Sequence, residues 1–464
     1  MIKLKSIAQV QKSYRTLEIE LTLLPGIPGL QIVGGADALL KESAHRIRAA
    51  IKSAGFHWPK AQQILVNVSP SGVKKASSGL ELAIVIAYLL ESEQIPLVDL
   101  SQFVFYGELG LDGSVRVPED LSHVPFNYQD ILFTGKTQTL IEIESIQIEH
   151  LGQLNRTVHA KTERADLQPQ RRSVFENWKF SPEQAEVLLF LALGKHSALL
   201  AGPSGTGKST LAQALGDFLP LPDSESFFEL KKIHREFNVS LTQVPLVKPH
   251  HSTPLMSMVG GGNIPAAGEI SRAHGGLLIL DEFLEFHPTV IEALREPMEE
   301  KRIRVARGKE VQTYPADMHF VATTNRCPCG RFVPGGKSHL NCRYSQKKCQ
   351  SYKERLSGPM MDRFDVVFFQ REFAKSELTV EGREISARIS EIKAWRSDGE
   401  LGSRAEDTTW LPQWNLSFRR QRALQKVART LADLDQSQEV CQKHQQKALE
   451  WACLNFELLQ KWDL

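Results

Sequence analysis

Apolar and polar positions alternate through Thr16-Leu-Glu-Ile-Glu-Leu-Thr-Leu23, the period of a strand with one buried face. Gln63-Ile-Leu-Val-Asn-Val-Ser69 and Phe103-Val-Phe-Tyr-Gly107 read as more deeply buried strands. Asp37 to Ser53 carries apolar residues at 40, 44, 47, 50 and 51, one face of a helix that Gly55 is placed to stop. Leu80 to Leu90 is apolar almost throughout and predicts a more buried helix, and Asp112-Gly113 between short apolar segments predicts a hairpin turn. Residues 1–160 are therefore expected to form a mixed α and β unit. Residues 161–177 are polar, charged and broken by Pro169, the composition of a linker. In residues 178–375 the runs Ser197-Ala-Leu-Leu-Ala201, Leu277-Leu-Ile-Leu280 and Met318-His-Phe-Val-Ala-Thr-Thr324 predict buried parallel strands. Residues 376–464 are helical in pattern, with few turn signals after Pro412, and predict a small helical bundle.

A chain of 464 residues has length for about three domains. Fifty-six lysines and arginines against 54 acids leave a net charge of +2, so any nucleic-acid-binding surface has to be local. No apolar run reaches ~18 residues and Met1-Ile-Lys-Leu-Lys-Ser-Ile7 has no extended apolar core, so neither a membrane span nor a signal peptide is expected. The expectation is a cytoplasmic protein with six reduced cysteines.

The run at 197–201 leads into Gly202-Pro203-Ser204-Gly205-Thr206-Gly207-Lys208-Ser209-Thr210, followed by the helical pattern Leu211 to Leu219. Strand, glycine-rich loop and helix in this order read as a phosphate loop for a nucleotide: backbone N–H groups face the phosphates, Lys208 supplies a point charge and Ser209 a hydroxyl for Mg²⁺. Asp281 and Glu282 end a buried strand, where Asp281 would serve Mg²⁺ and Glu282 would polarise the attacking water. Asn325 ends the next strand and can orient that water. Arg363 is a candidate finger for a neighbouring subunit's γ phosphate, and Arg419 opens a helix capped by Ser417 that is expected to face nucleotide. The stretch Lys248 to Arg272 reads as an insertion, too rich in Gly and Pro for a core helix, and Thr289 to Glu300 as a helix. Lys301, Arg302, Arg304, Arg307 and Lys309 make a hairpin around Arg307-Gly308 the most basic short segment of the domain, suited either to DNA phosphates lining a pore or to plain solvation. Cys327, Cys329, Cys342 and Cys349 share a Gly- and Pro-rich loop and suit a structural Zn²⁺, with His339 as a substitute ligand, although their spacing departs from paired CxxC.

Taken together, these motifs resemble the Mg-chelatase-like AAA+ ATPases of the YifB or ComM type over essentially the whole chain. The resemblance rests on Gly26-Ile-Pro-Gly-Leu-Gln-Ile-Val-Gly34, Lys41-Glu-Ser43, Arg48 to Phe56, Gly107 to Arg116, Pro249-His-His-Ser252, Val259-Gly-Gly-Gly262, Gly268-Glu-Ile-Ser271, Ala273-His-Gly-Gly276, Asn325-Arg-Cys-Pro-Cys-Gly330, Leu356-Ser-Gly-Pro359 and Val427 to Leu434. It implies an α/β protein: a Lon-protease-like α+β domain over 1–160, an AAA+ ATPase module over 178–375 and a C-terminal helical lid over 376–464. It also implies a hexameric homo-oligomer that hydrolyses ATP with Mg²⁺ and moves DNA, in ComM-like members by branch migration of recombining strands during natural transformation. By the same resemblance Asn325 is sensor 1, Arg363 the finger and Arg419 sensor 2. Gly35-Ala36-Asp37 replaces the family's Leu-Pro-Asp, Ala423 stands where a second arginine is usual, and Tyr344 where a fourth cysteine is usual. A Lon-like serine would fall near Ser77-Ser78, but Pro118 to Val124 holds no lysine to activate it, so proteolysis is not expected. A chelatase-like or protein-remodelling ATPase working through a protein partner is the alternative.

Overall fold

The computed structural model describes residues 1–10, 13–33, 38–70, 75–76, 79–96, 100–121, 124, 126–137, 141–155, 168–237, 239–262, 266–307, 310–325, 327–330, 344–370, 378–398 and 416–460. They divide into two compact units, one drawn from Met1–Gln168 and Asp223–Arg235, the other from Pro169–Pro222 and Glu236–Leu464.

The first unit contains β1 (Ile2–Val10), β2 (Ser13–Pro25), β3 (Gly29–Val33), α1 (Ala38–Ser53), β4 (Gln62–Ser69), β5 (Lys75–Ala76), α2 (Leu80–Glu91), β6 (Phe103–Phe105), β7 (Glu108–Leu109), β8 (Val115–Arg116), β9 (Ile131–Gly135) and β10 (Glu144–Ile148). Its mixed sheet runs β10-β9-β6-β1-β2-β4-β3, with β5 beside β1, while β7 and β8 form the hairpin at Asp112-Gly113. The alternation in β2 buries Leu17, Ile19 and Leu21, and every residue from Leu80 to Leu90 of α2 is buried on the same side of the sheet. Ile7, Val104, Tyr106 and Leu132 point the other way and close around Phe228. Tyr14 and Tyr106 both donate to Asp120, in the segment that lacks a lysine; Ser77 and Ser78 lie outside the described residues.

The second unit begins with β11 (Lys179–Phe180), α3 (Pro182–Gly194), β12 (Ala198–Ala201) and α4 (Lys208–Phe218). The next helix, α5 (Ser224–Glu236), belongs almost entirely to the first unit: Phe228 is its core residue there, and Lys231 and Arg235 pair with Glu142. The chain then returns through β13 (Leu246–Val247), α6 (Leu255–Val259), β14 (Gly260–Gly261), β15 (Ala266–Ala267), α7 (Glu269–Arg272), β16 (Leu277–Leu280), α8 (Pro288–Ala293), α9 (Arg295–Glu300), β17 (Arg302–Arg307), β18 (Glu310–Pro315) and β19 (His319–Thr324). It closes with α10 (Gln346–Glu354), α11 (Gly358–Met361), β20 (Val366–Phe369), β21 (Val380–Glu381), α12 (Gly382–Asp398), α13 (Phe418–Leu434), α14 (Gln442–Leu449) and α15 (Asn455–Gln460).

Five parallel strands in the order β13-β16-β19-β12-β20 form the central sheet, so every strand end on one edge is a carboxy end. The C-terminal helices share its core: Trp451 packs edge-on against Phe190 and Phe368 at 4.9 and 4.7 Å, and Leu424, Val427 and Leu431 join the same cluster. Two local expectations change. The helix expected over Thr289–Glu300 is two short helices, because Pro297 has no N–H to offer the Ala293 carbonyl. The described part of the polar segment 161–177 packs on the second unit, with Phe175 buried and its N–H donated to Asp217 at 2.7 Å. Among the described residues no helix is long and apolar enough to cross a membrane.

Candidate nucleotide site

β12 delivers the phosphate loop to the carboxy edge and α4 leads away from it. Gly207 stands at the helix entrance with φ of +81°, and a side chain at Gly202 would collide with the Gln370 carbonyl at 2.4 Å, so glycine is required for both the turn and the close approach. Lys208 is 6% exposed, and its ammonium donates to the carbonyls of Gly202 and Pro203 at 3.0 and 2.5 Å and to Asn325 Oδ1 at 3.1 Å. Burial lowers its pKa against the opposing pull of Asp281 and Glu282. Thr206 Oγ1 donates to the Pro203 carbonyl and Ser204 N–H to that of Gly330, which fixes the loop from both sides. Pro203, Ser204, Gly205 and Thr210 lie along the same turn and the first turn of α4.

Asp281 follows β16, the strand two places from β12. Its Oδ1 accepts from Ser209 Oγ and Thr323 Oγ1, each at 2.6 Å, and its Oδ2 pairs with Lys248 Nζ at 2.8 Å. Burial pushes the Asp281 carboxyl up, but the bonds from Lys248, Ser209 and Thr323 outweigh it and hold the group below its ordinary range. Glu282 is exposed, with φ of +54°, and its N–H donates to Thr323 Oγ1 at 3.1 Å. Lys208 with Asn325, and Ser209 with Asp281, thus form two hydrogen-bonded pairs at one sheet edge, coupled by the charge attraction between Lys208 and Asp281, with Glu282 next to Asp281. A hydroxyl beside an ionised carboxylate is the hard oxygen set that Mg²⁺ prefers, so Ser209 and Asp281 fit that ion.

The two arginines lie elsewhere. Arg363 precedes β20, at the amino edge of the sheet, with its carbonyl held by Ser197 Oγ at 2.7 Å. Its guanidinium pairs with Glu299, and so does Arg419 at 2.5 Å, so both arginines grip one carboxylate Oε1. Within its own chain Arg419 is therefore a partner of Arg363 and not of the phosphate loop, unlike the expectation that it faces nucleotide. Buried Arg420 fixes this arrangement, donating to the carbonyls of Phe364, Met361 and Ala452 at 2.9 to 3.1 Å. A cavity of about 740 Å³ opens at this edge, lined by Lys195, Arg363, Arg396, Arg419, Arg422 and Lys426 among others.

Lys248, Thr323, Glu299 and Arg420 are absent from the sequence-based set. Thr323 carried a faint signal, as a hydroxyl two residues before Asn325 in a buried strand; the others depend on contacts between distant segments. The basic hairpin forms as β17 and β18, with Lys301, Arg302 and Arg304 exposed; the Arg307 side chain and Lys309 lie outside the described residues. Cys327 Sγ lies 3.1 Å from Cys329 Sγ and 3.5 Å from Cys349 Sγ, closer than the roughly 3.8 Å edge of a zinc–thiolate tetrahedron. Among the described residues no group of three or more histidines, cysteines and acids forms a metal site; Cys342 and His339 lie outside them.

Comparison with known proteins defines the class. The magnesium chelatase ChlI-subunit family matches residues 177–378, a second ChlI-subunit domain matches 19–129 and the ChlI C-terminal domain matches 395–451. The chain is 32% identical to YifB of Escherichia coli over 95% of its length and 94% of that protein's. It is 30% identical to competence protein ComM of Haemophilus influenzae, over 97% of each chain. A Mycobacterium tuberculosis protein is 31% identical over 82% of this chain and 81% of its own. The chain belongs to the YifB/ComM family of Mg-chelatase-like proteins, whose central module is of the AAA+ ATPase class.

Proposed function

We propose that the protein is an ATP-hydrolysing motor that works as a ring of identical subunits on DNA. The observation that carries the hydrolytic part is the meeting of Lys208, Ser209, Asp281 and Asn325 at one sheet edge. Lys208 exchanges its carbonyl partners for β and γ phosphate oxygens, as the loop N–H groups and the end of α4 cradle the rest. Ser209 and Asp281 hold Mg²⁺, which when bound neutralises charge across the phosphates. Glu282 takes the proton of the attacking water, and Asn325 fixes that water's orientation. Arg363 and Arg419, on the opposite edge, complete the site of the next subunit, where they meet the charge developing on the γ phosphate. A hexamer is the ring size the family resemblance favours.

Support for DNA comes from the exposed Lys301, Arg302 and Arg304 on a hairpin and from the name of the ComM relative. By this reading the protein binds single-stranded or branched DNA in the cytoplasm and promotes branch migration of recombining strands. The test is ATP turnover with and without single-stranded, duplex and branched DNA, with Glu282→Gln as control. Stimulation by DNA that vanishes in the control is the expected result. Turnover indifferent to every DNA would move the proposal to a protein partner, in keeping with the chelatase-subunit relatives.

A further inference from the structure

Lys248 is the last residue before Pro249, at the carboxy end of β13, the edge strand beside β16. Proline cannot extend the ladder, so the strand stops there. Register carries the lysine forward: Val247 lies opposite Leu278, which leaves Asp281 within reach of a four-carbon side chain. The ammonium sits 2.8 Å from Asp281 Oδ2, with the two side chains 32% and 24% exposed. The other carboxylate oxygen is taken by Ser209 and Thr323. One oxygen of Asp281 is thus bound by the hydroxyls around a metal position, and the other by a second cation.

Resting on the nucleotide site proposed above, we propose that Lys248 is a tethered counter-ion of that site: it occupies Asp281 until Mg²⁺ competes it away, then turns to the nucleotide's terminal phosphate. The charges require such an exchange. Lys208 and Lys248 together balance Asp281 and Glu282, and a Mg-nucleotide brings net negative charge with its own cation for Asp281. A lysine released from its carboxylate within a few ångströms of that charge finds its next partner on a phosphate oxygen. The flexible stem and compact ammonium allow the swing, which a planar guanidinium locked on two oxygens resists. The same residue therefore sets how strongly nucleotide binding depends on metal.

The test measures binding and not turnover. The full chain is titrated with a fluorescent ATP analogue in EDTA and then across a Mg²⁺ series, for wild type, Lys248→Met and Lys248→Arg. Lys248→Met should bind the analogue about 5- to 20-fold more weakly in EDTA and reach half-saturation at a several-fold lower Mg²⁺ concentration, because the competing cation is gone. Lys248→Arg should restore binding in EDTA but raise the Mg²⁺ requirement. Thermal melting of each variant without nucleotide checks folding. If Lys248→Met is folded and its affinity and Mg²⁺ midpoint match wild type, the lysine is an ordinary surface ion pair and the proposal falls. A wild-type chain that binds no analogue in any condition would overturn the nucleotide site itself. Wild-type binding lost only in Lys208→Ala keeps that site and leaves the Lys248 variants to decide the inference.

Discussion

The two edges of the central sheet are both rich in charge but differ in how the charge is settled. At the carboxy edge the two buried charges already have partners of the right kind, Lys208 three oxygens and Asp281 two hydroxyls and an ammonium, and only Glu282 stands exposed. At the amino edge Arg363 and Arg419 share one carboxylate, while Arg422 rests on the Phe418 ring at 4.5 Å and Lys426 has no ion pair among the described residues. A pocket with surplus positive charge is complementary to an anion that this chain does not supply at that edge. On the function proposed above, the contrast predicts that a monomer binds nucleotide but turns it over poorly.

Lys208→Ala should have the largest effect on binding, a loss of roughly 100-fold or more in affinity for nucleotide, measured by equilibrium titration. Arg363→Ala should leave that affinity nearly intact and lower turnover about a thousandfold. Mixing the two inactive variants should then recover part of the activity, because some contacts pair an intact loop with an intact arginine. No recovery at any ratio would place both functions in one chain and dissolve the contrast. Glu299→Gln should change turnover only a few-fold while altering the apparent affinity between subunits, read by sedimentation, since it frees two arginines at once.

A smaller effect concerns stability. His319, at the start of β19, has an enclosed, unpartnered Nδ1, and burial first, then Lys195, lowers its pKa to about 3. The native imidazole therefore stays neutral while the unfolded one protonates below pH 6.5, so stability falls as pH drops through the window from 6.5 to 3. The slope is about 1.4 kcal/mol per pH unit, so wild type should lose about 2 kcal/mol between pH 6.5 and 5 relative to His319→Gln in urea unfolding.

The carboxy edge was legible in the sequence because its signals are local. A glycine-rich turn after an apolar run, and two acids or an asparagine after another, each declare a strand end. Alternation in β2 and uniform apolarity in α2 were equally local, as was Pro297, which carries the signal for the break between α8 and α9. The amino edge was not legible: that Glu299 would gather Arg363 and Arg419 depends on three segments spread over 120 residues. Lys248 was hidden for the same reason, as one lysine in a Gly- and Pro-rich stretch until register set it against Asp281. The position of α5 was hidden too. Its amphipathic pattern says that Phe228 will be buried, but not in which core.

That placement of α5 bears on how the polypeptide comes to be assembled. A ribosome releases the sheet of the first unit well before it makes Phe228, so the cluster of Ile7, Val104, Tyr106, Leu132 and Phe126 must wait, incomplete, for a segment encoded beyond the phosphate loop. Neither unit can be excised by one cut: a fragment ending at 168 leaves that cluster without Phe228, and one starting at 169 carries an amphipathic helix parted from its core. Separating them cleanly would take a fusion that appends 223–235 to the first unit and bridges 222 to 236 in the second.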